Sequence, residues 1–159
     1  MKKKIILVLT TLIIVIQFFR PAKNTSDAEH VNTLGKAYSI PIEVKTILEK
    51  ACNDCHSNNT IYPWYSNVQP IAWWLASHIK EGKQHLNFDG FLTYTPKKQD
   101  HKMDEVIEMV KEKKMPLPSY TWTHSNAKLT NEERVVLTNW ASTVRKEITY
   151  KTGFIPKSN

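Results

Sequence analysis

Both cysteines of the chain fall within five consecutive residues, Cys52-Asn53-Asp54-Cys55-His56. Two thiols three positions apart with an imidazole next in line form the signature of c-type haem attachment. At a helix end the two thiols can add across the two vinyl groups of one haem, and the following histidine is delivered to the iron. Three rival uses weigh less. A thioredoxin-like redox pair needs a βαβ pattern, and no segment of this chain reads as a strand. Zinc needs four tetrahedral ligands, whereas Cys55 and His56 are adjacent and no second cysteine pair exists. A plain disulfide leaves His56 as a coincidence. The expected cofactor is one covalent haem c per chain, held by Cys52 and Cys55, with His56 as proximal metal ligand.

A second axial ligand is sought among thioethers and imidazoles. Met115 lies in Lys113-Lys114-Met115-Pro116-Leu117-Pro118, where two prolines restrict the backbone and reduce the entropy lost on presenting the side chain. A His/Met pair raises the reduction potential above that of two histidines, which suits an electron carrier. Met115 is therefore the expected distal ligand, with packing in an irregular core as its alternative. His124 is the rival sixth ligand. His78, on the apolar face of a helix with Trp74, reads as a distal ligand, a haem propionate partner or a satisfied core residue. Met103 and Met109 read as packing or surface residues, and His30, His85 and His101 as linker or surface. Lys80 and Lys83 read as a solvated face or as propionate partners.

Helical periodicity organises the rest. Pro41 opens a helix whose Val44, Ile47, Leu48 and Ala51 share one face and which runs into Cys52. A second follows Pro70, with Ile71, Trp74, Leu75, His78 and Ile79 on one face and Gly82 as its expected stop. A third carries Met103, Val106, Ile107 and Val110 and ends before Pro116. The last starts at Thr130, whose hydroxyl can cap it while Glu133 reciprocates. The fold class is all-α, with the helix entering Cys52 packed on the last helix and the haem between them.

Lys2 to Lys4 precede an apolar run from Ile5 to Phe19, an export-signal or anchor pattern. The Arg20-Pro21 junction lacks a small-x-small cleavage site, so an uncleaved N-terminal transmembrane helix is expected. Fifteen helical residues reach only about 22 Å against a hydrocarbon core of roughly 30 Å, a gap that snorkelling and bilayer thinning can narrow. The N-terminal lysines favour a cytoplasmic N-terminus, which places the remainder on the periplasmic side of a bacterial cytoplasmic membrane. The expected organisation is a signal-anchor over 1–20, a polar linker over 21–39, a haem-binding domain over 40–150 and a tail over 151–159.

The net charge of +7 invites a nucleic-acid reading, but five of the 22 basic residues flank the apolar run, leaving 17 against 15 acids. Among those 17, Lys97, Lys98, Lys111, Lys113 and Lys114 alternate with acids along one helical segment, the pattern of a solvated face, so no nucleic-acid partner is expected.

From Cys52 to Trp140 the chain resembles the bacterial haem-binding domain family of small anchored proteins, itself similar to class I cytochromes c. The resemblance is carried by Cys52 to Asn58, Trp64-Tyr65, Pro70, Trp73-Trp74, His78, Gly82 and Leu86-Asn87-Phe88. Further along it is carried by Met115-Pro116, Tyr120, His124 and Ala127 to Thr130. It implies haem binding on a small cytochrome c-like helical domain and singles out His78 and His124 beyond ordinary core histidines. Ser125 stands where relatives commonly carry proline. The expected function is that of a membrane-anchored monohaem c-type cytochrome, an electron carrier more than an enzyme, whose redox partner is unspecified. The alternative is a haem-based sensor with an open distal position.

Overall fold

A computed structural model describes residues 1–156; the end of the expected tail, 157–159, lies outside them. Among the described residues there are seven α-helices and no strand. They are α1 (Lys2–Ile16), α2 (Ile42–Ala51), α3 (Asn53–His56), α4 (Ile71–His85), α5 (Pro96–Lys111), α6 (Pro118–Thr121) and α7 (Asn131–Thr152). Short 3-10 turns join them at Leu34–Lys36, Trp64–Asn67, Phe88–Thr93 and Ser125–Ala127.

The all-α expectation holds, and the stripes of α2 and α5 do what their spacing requires, whereas the expected α4 face does not: Ile71 and Trp74 are exposed, and the buried residues of α4 are Ala72 and Ile79. Val44, Ile47 and Leu48 of α2, Met103 and Val110 of α5, and Leu137, Val144 and Ile148 of α7 fill one core with Phe91. The longest shared face is that of α5 against α7, fixed at its edge by Asp100. That buried carboxylate accepts from Arg145 through Nε at 2.8 Å and Nη2 at 3.1 Å, a two-pronged contact that compensates its desolvation. Thr130 and Glu133 form the reciprocal cap at the start of α7, and Gly153 closes it in the left-handed conformation (φ 68°).

Three expectations change. Residues 21–39 are no free linker: Leu34 and Tyr38 are 1% and 4% exposed, and Asn24 donates to the Ser57 carbonyl at 3.0 Å and to Thr60 Oγ1 at 2.9 Å. Polar composition concealed two core side chains. Gly82 does not stop α4, which continues to His85. The N-terminal helix ends at Ile16, and no helix among the described residues is long and apolar enough to cross a membrane. The expected transmembrane span is thereby reduced to a fifteen-residue helix whose first three residues are Lys2 to Lys4, with no buried residue.

Candidate haem site

The single turn of α3 starts at Cys52, whose carbonyl accepts the Cys55 and His56 amides at 3.1 and 3.0 Å. This turn places Cys52, Cys55 and His56 on the wall of a cavity of about 530 Å³, within the range of small-molecule and cofactor sites. Its wall is mostly apolar. Leu48 and Ala51 of α2, Phe88, and Val106 and Val110 of α5 contribute to it, and Leu137 is the share of α7. The site thus lies among α2 to α5 and the segment after α5, not between α2 and α7 as the sequence had implied.

His56 is held in a defined state. Its Nδ1 lies 2.9 Å from the Leu86 carbonyl, so Nδ1 carries the proton and Nε2 keeps its lone pair for a metal. Burial lowers its pKa, against the opposing pull of the Leu86 and Gly82 carbonyls, and keeps the ring neutral at pH 7. Phe88 packs edge-on against the imidazole, with centroids 6.3 Å apart. The residues after the motif are strapped to the same segment. Asn58 N–H donates to Asp89 at 2.7 Å, and Asn87 Nδ2 donates to Asn58 Oδ1 at 2.9 Å. The Leu86-Asn87-Phe88 run therefore serves to orient His56.

Gly82 has a tertiary reason. A Cβ there would sit 2.7 Å from the Cys55 carbonyl oxygen and 3.0 Å from Cys55 Cβ, so only glycine lets α4 approach α3 this closely. Both cysteines are free. Burial pushes the Cys52 thiol up to about 12, helped by its neighbour Cys55, and the Cys55 thiol up to about 11, helped by Asp54. A reactive redox pair has the opposite bias, toward thiolate.

Met115 also lines the cavity, and both of its backbone polar groups are tied. Its N–H donates to the Met109 carbonyl at 3.1 Å, and its carbonyl accepts from Arg134 Nη1 at 3.1 Å. The same guanidinium nitrogen bonds the Val110 carbonyl at 2.9 Å. Upstream, α5 ends in a Schellman turn. Lys114 N–H reaches Met109 O at 2.9 Å and Lys113 N–H reaches Val110 O at 3.2 Å, with Lys113 left-handed at φ 58°.

The remaining expected residues divide. His78 lines the cavity, with Nδ1 2.9 Å from the Trp74 carbonyl and its ring 4.4 Å from that of Trp74. His124 is not on the cavity wall. It stacks behind Tyr120, with centroids 4.2 Å apart and planes 12° apart, and Tyr120 is the ring that lines the site. Tyr120 Oη donates to Asp54 Oδ2 at 2.7 Å, joining the Met115 side to the cysteine motif. Burial and that bond raise the Tyr120 pKa, so it remains a donor.

Lys80 and Lys83 lie away from the site, along a separate depression of about 420 Å³ with Asn24 and Tyr62. Helical spacing explains this: positions 78, 82 and 85 face the haem cavity, and 80 and 83 face away. His85 and Met109, read from the sequence as surface or packing residues, reach the cavity wall, and sequence reasoning passed over Lys102, which also lines it, and Arg134, which braces it. His85 joins His78 as a basic side chain on that wall, while the Lys102 ammonium is taken up by Glu105, which also lines the cavity.

An apolar cavity that presents two protonated thiols, a neutral imidazole with a free Nε2 and a thioether defines a haem-binding class of helical protein. A family model described as a haem-binding domain matches residues 11–143, and the chain belongs to that family. No curated protein and no solved structure matches it. The match begins within α1 and includes the segment first read as a linker, as the burial of Leu34 and Tyr38 would lead one to expect.

Proposed function

We propose that this haem-binding protein is a membrane-attached, extracytoplasmic, monohaem c-type cytochrome that passes single electrons. The observation that carries this reading is the state of His56. A nearby carbonyl occupies Nδ1, while the two thiols of the same helical turn lie on the same cavity wall. Cys52 and Cys55 would hold the haem through thioether bonds, His56 would ligate the iron as proximal ligand, and Met115 would complete it. Haem held there supplies an iron that changes oxidation state by one electron. The chain's own residues do the remainder. Leu86 fixes the imidazole tautomer, Phe88 fixes its ring plane, Arg134 and Met109 hold the Met115 backbone, and the apolar wall excludes water. Attachment runs through the Ile5-to-Phe19 segment, with Lys2 to Lys4 on the cytoplasmic side and local bilayer thinning to accommodate its length.

The test is the full chain matured in a host that builds c-type haem. Haem should survive denaturing electrophoresis at one per chain, and the oxidised protein should be low-spin with the weak near-infrared sulfur-to-iron band. Met115→Ala should abolish that band and Met109→Leu should leave it. A high-spin resting state with rapid carbon monoxide binding would instead identify a sensor with an open distal position. An alkaline phosphatase fusion after the described residues should be active if the domain lies outside the cytoplasm.

A further inference from the structure

No Asp, Glu, Lys or Arg occurs from Ser57 to Ser77, in a chain where those residues make up 23% of the whole. This stretch includes the 3-10 turn Trp64–Asn67 and the start of α4, and it is not buried accordingly. Trp64 is 80% exposed, Trp74 48%, and Val68, Ile71 and Trp73 are also exposed. Side chains of this kind carry no desolvation penalty beneath an apolar layer, and tryptophan favours the boundary between hydrocarbon and headgroups.

The same stretch grips the end of the apolar N-terminal segment. Gln69 N–H donates to Gln17 Oε1 at 2.9 Å, and Gln17 Nε2 returns a bond to the Gln69 carbonyl at 3.3 Å. Gln69 Nε2 and the Trp73 indole N–H both donate to the Phe19 carbonyl at 2.8 Å. Gln69 is buried, so the contact is a built joint. Whatever receives α1 and the exposed Phe18 and Phe19 also receives the surface around this joint.

We propose that the uncharged surface of residues 57–77 beside the Gln17–Gln69 joint, bearing Trp64, Val68, Ile71 and Trp74, is a lipid-facing collar that seats the haem domain in the interface of the bilayer holding α1. The inference rests on the membrane attachment proposed above and adds a fixed orientation to it. Helix length points the same way: about 22 Å of helix under a core of roughly 30 Å draws its rigidly joined domain down onto the membrane. Arg20 and Lys23 follow the apolar segment, with no acid before Asp27, and suit anionic headgroups. The Trp74 ring packs on His78, whose side chain lines the haem cavity, so the collar borders the site.

The experiment is X-ray hydroxyl-radical footprinting of the full haem-loaded chain in nanodiscs of phosphatidylcholine with phosphatidylglycerol. Tyr150, 90% exposed on α7, is the internal reference. Trp64 and Trp74 should oxidise about fivefold more slowly, relative to Tyr150, than their exposure dictates, as expected for interfacial tryptophans. In the Gln69→Ala, Trp73→Phe double variant, with its haem spectrum unchanged as proof of fold, that protection should fall. A chain retained in the discs whose Trp64 and Trp74 oxidise, relative to Tyr150, at the rate their exposure dictates overturns the collar while leaving attachment intact. A chain that does not stay with the discs overturns the attachment itself.

Discussion

On the α3–α4 side of the cavity, the groups that matter are spaced over five residues and are immobilised by backbone. The Leu86 carbonyl holds the imidazole, and a glycine at position 82 admits the Cys55 carbonyl to within reach of the helix. On the Met115 side the candidate ligand sits on irregular chain after α5, and its position depends on one side chain, Arg134, that reaches back from α7. The first side is a seat specified by steric fit. The second is a loop held by a few hydrogen bonds, each contributing about 1 kcal/mol, somewhat more where a charged donor is involved. The difference teaches that, on the proposed reading, holding a haem at the cysteine side and presenting Met115 to its iron would be separable, and mutation should be able to remove the second without the first.

The largest expected effect is on the cysteine side. Cys52→Ala with Cys55→Ala should remove all haem that survives denaturing electrophoresis, while circular dichroism retains the helical signature. Next, Gly82→Ala forces a Cβ against Cys55 and should cost about 1–3 kcal/mol, a thermal midpoint some ~3–10 °C lower, with reduced haem yield. Arg134→Ala is the variant that most directly challenges the comparison. It should cost about 1–2 kcal/mol and weaken the near-infrared sulfur band while covalent haem stays at one per chain; Arg134→Lys should restore part of the band. Loss of covalent haem in Arg134→Ala would show that the two sides are not separable.

Acid titration probes the link between scaffold and seat. The Lys50 ammonium, 2.5 Å away, and the Thr130 N–H hold the Glu133 carboxyl below the usual carboxylate range. Because its folded pKa is depressed, the unfolded chain binds more protons in the acid range. The stabilisation is therefore complete above about pH 4.5 and is lost as pH falls through the depressed value. Glu133→Gln should flatten that acid limb in chemical denaturation and cost about 1 kcal/mol at neutral pH. The smallest effect is favourable: Lys113→Gly relieves the left-handed φ at the end of α5 and should gain about 0.5–1 kcal/mol with the sulfur band unchanged.

The contrast between the two sides also governs what could be read from residues alone. Cys52, Cys55 and His56 are contiguous, so their chemistry is legible without a fold. The apolar stripes of α2 and α5 and the Thr130 cap are equally local, and they appear where their periodicity puts them. Gly82 looked like a helix stop because glycine near a helix end carries that meaning by default. Its real constraint is an approach from Cys55, 27 positions earlier in the chain. Arg134 left no trace because its partners are carbonyls, which every residue has. His124 was singled out by the family resemblance alone, yet its ring lies behind Tyr120, a depth that spacing does not encode. Residues 21–39 were misjudged because counting polar side chains is blind to where two apolar ones lodge.

Glu133 and Arg134 are neighbours on the first turn of α7, and they reach in different directions. Glu133 binds Lys50, two positions ahead of Cys52, and Arg134 binds the Met115 segment. One turn of helix is thus a shared footing for the cysteine side and the Met115 side of the cavity. Any tilt or fraying that begins at Thr130 reaches both walls, so the width of the cavity is set by the integrity of a single helix start.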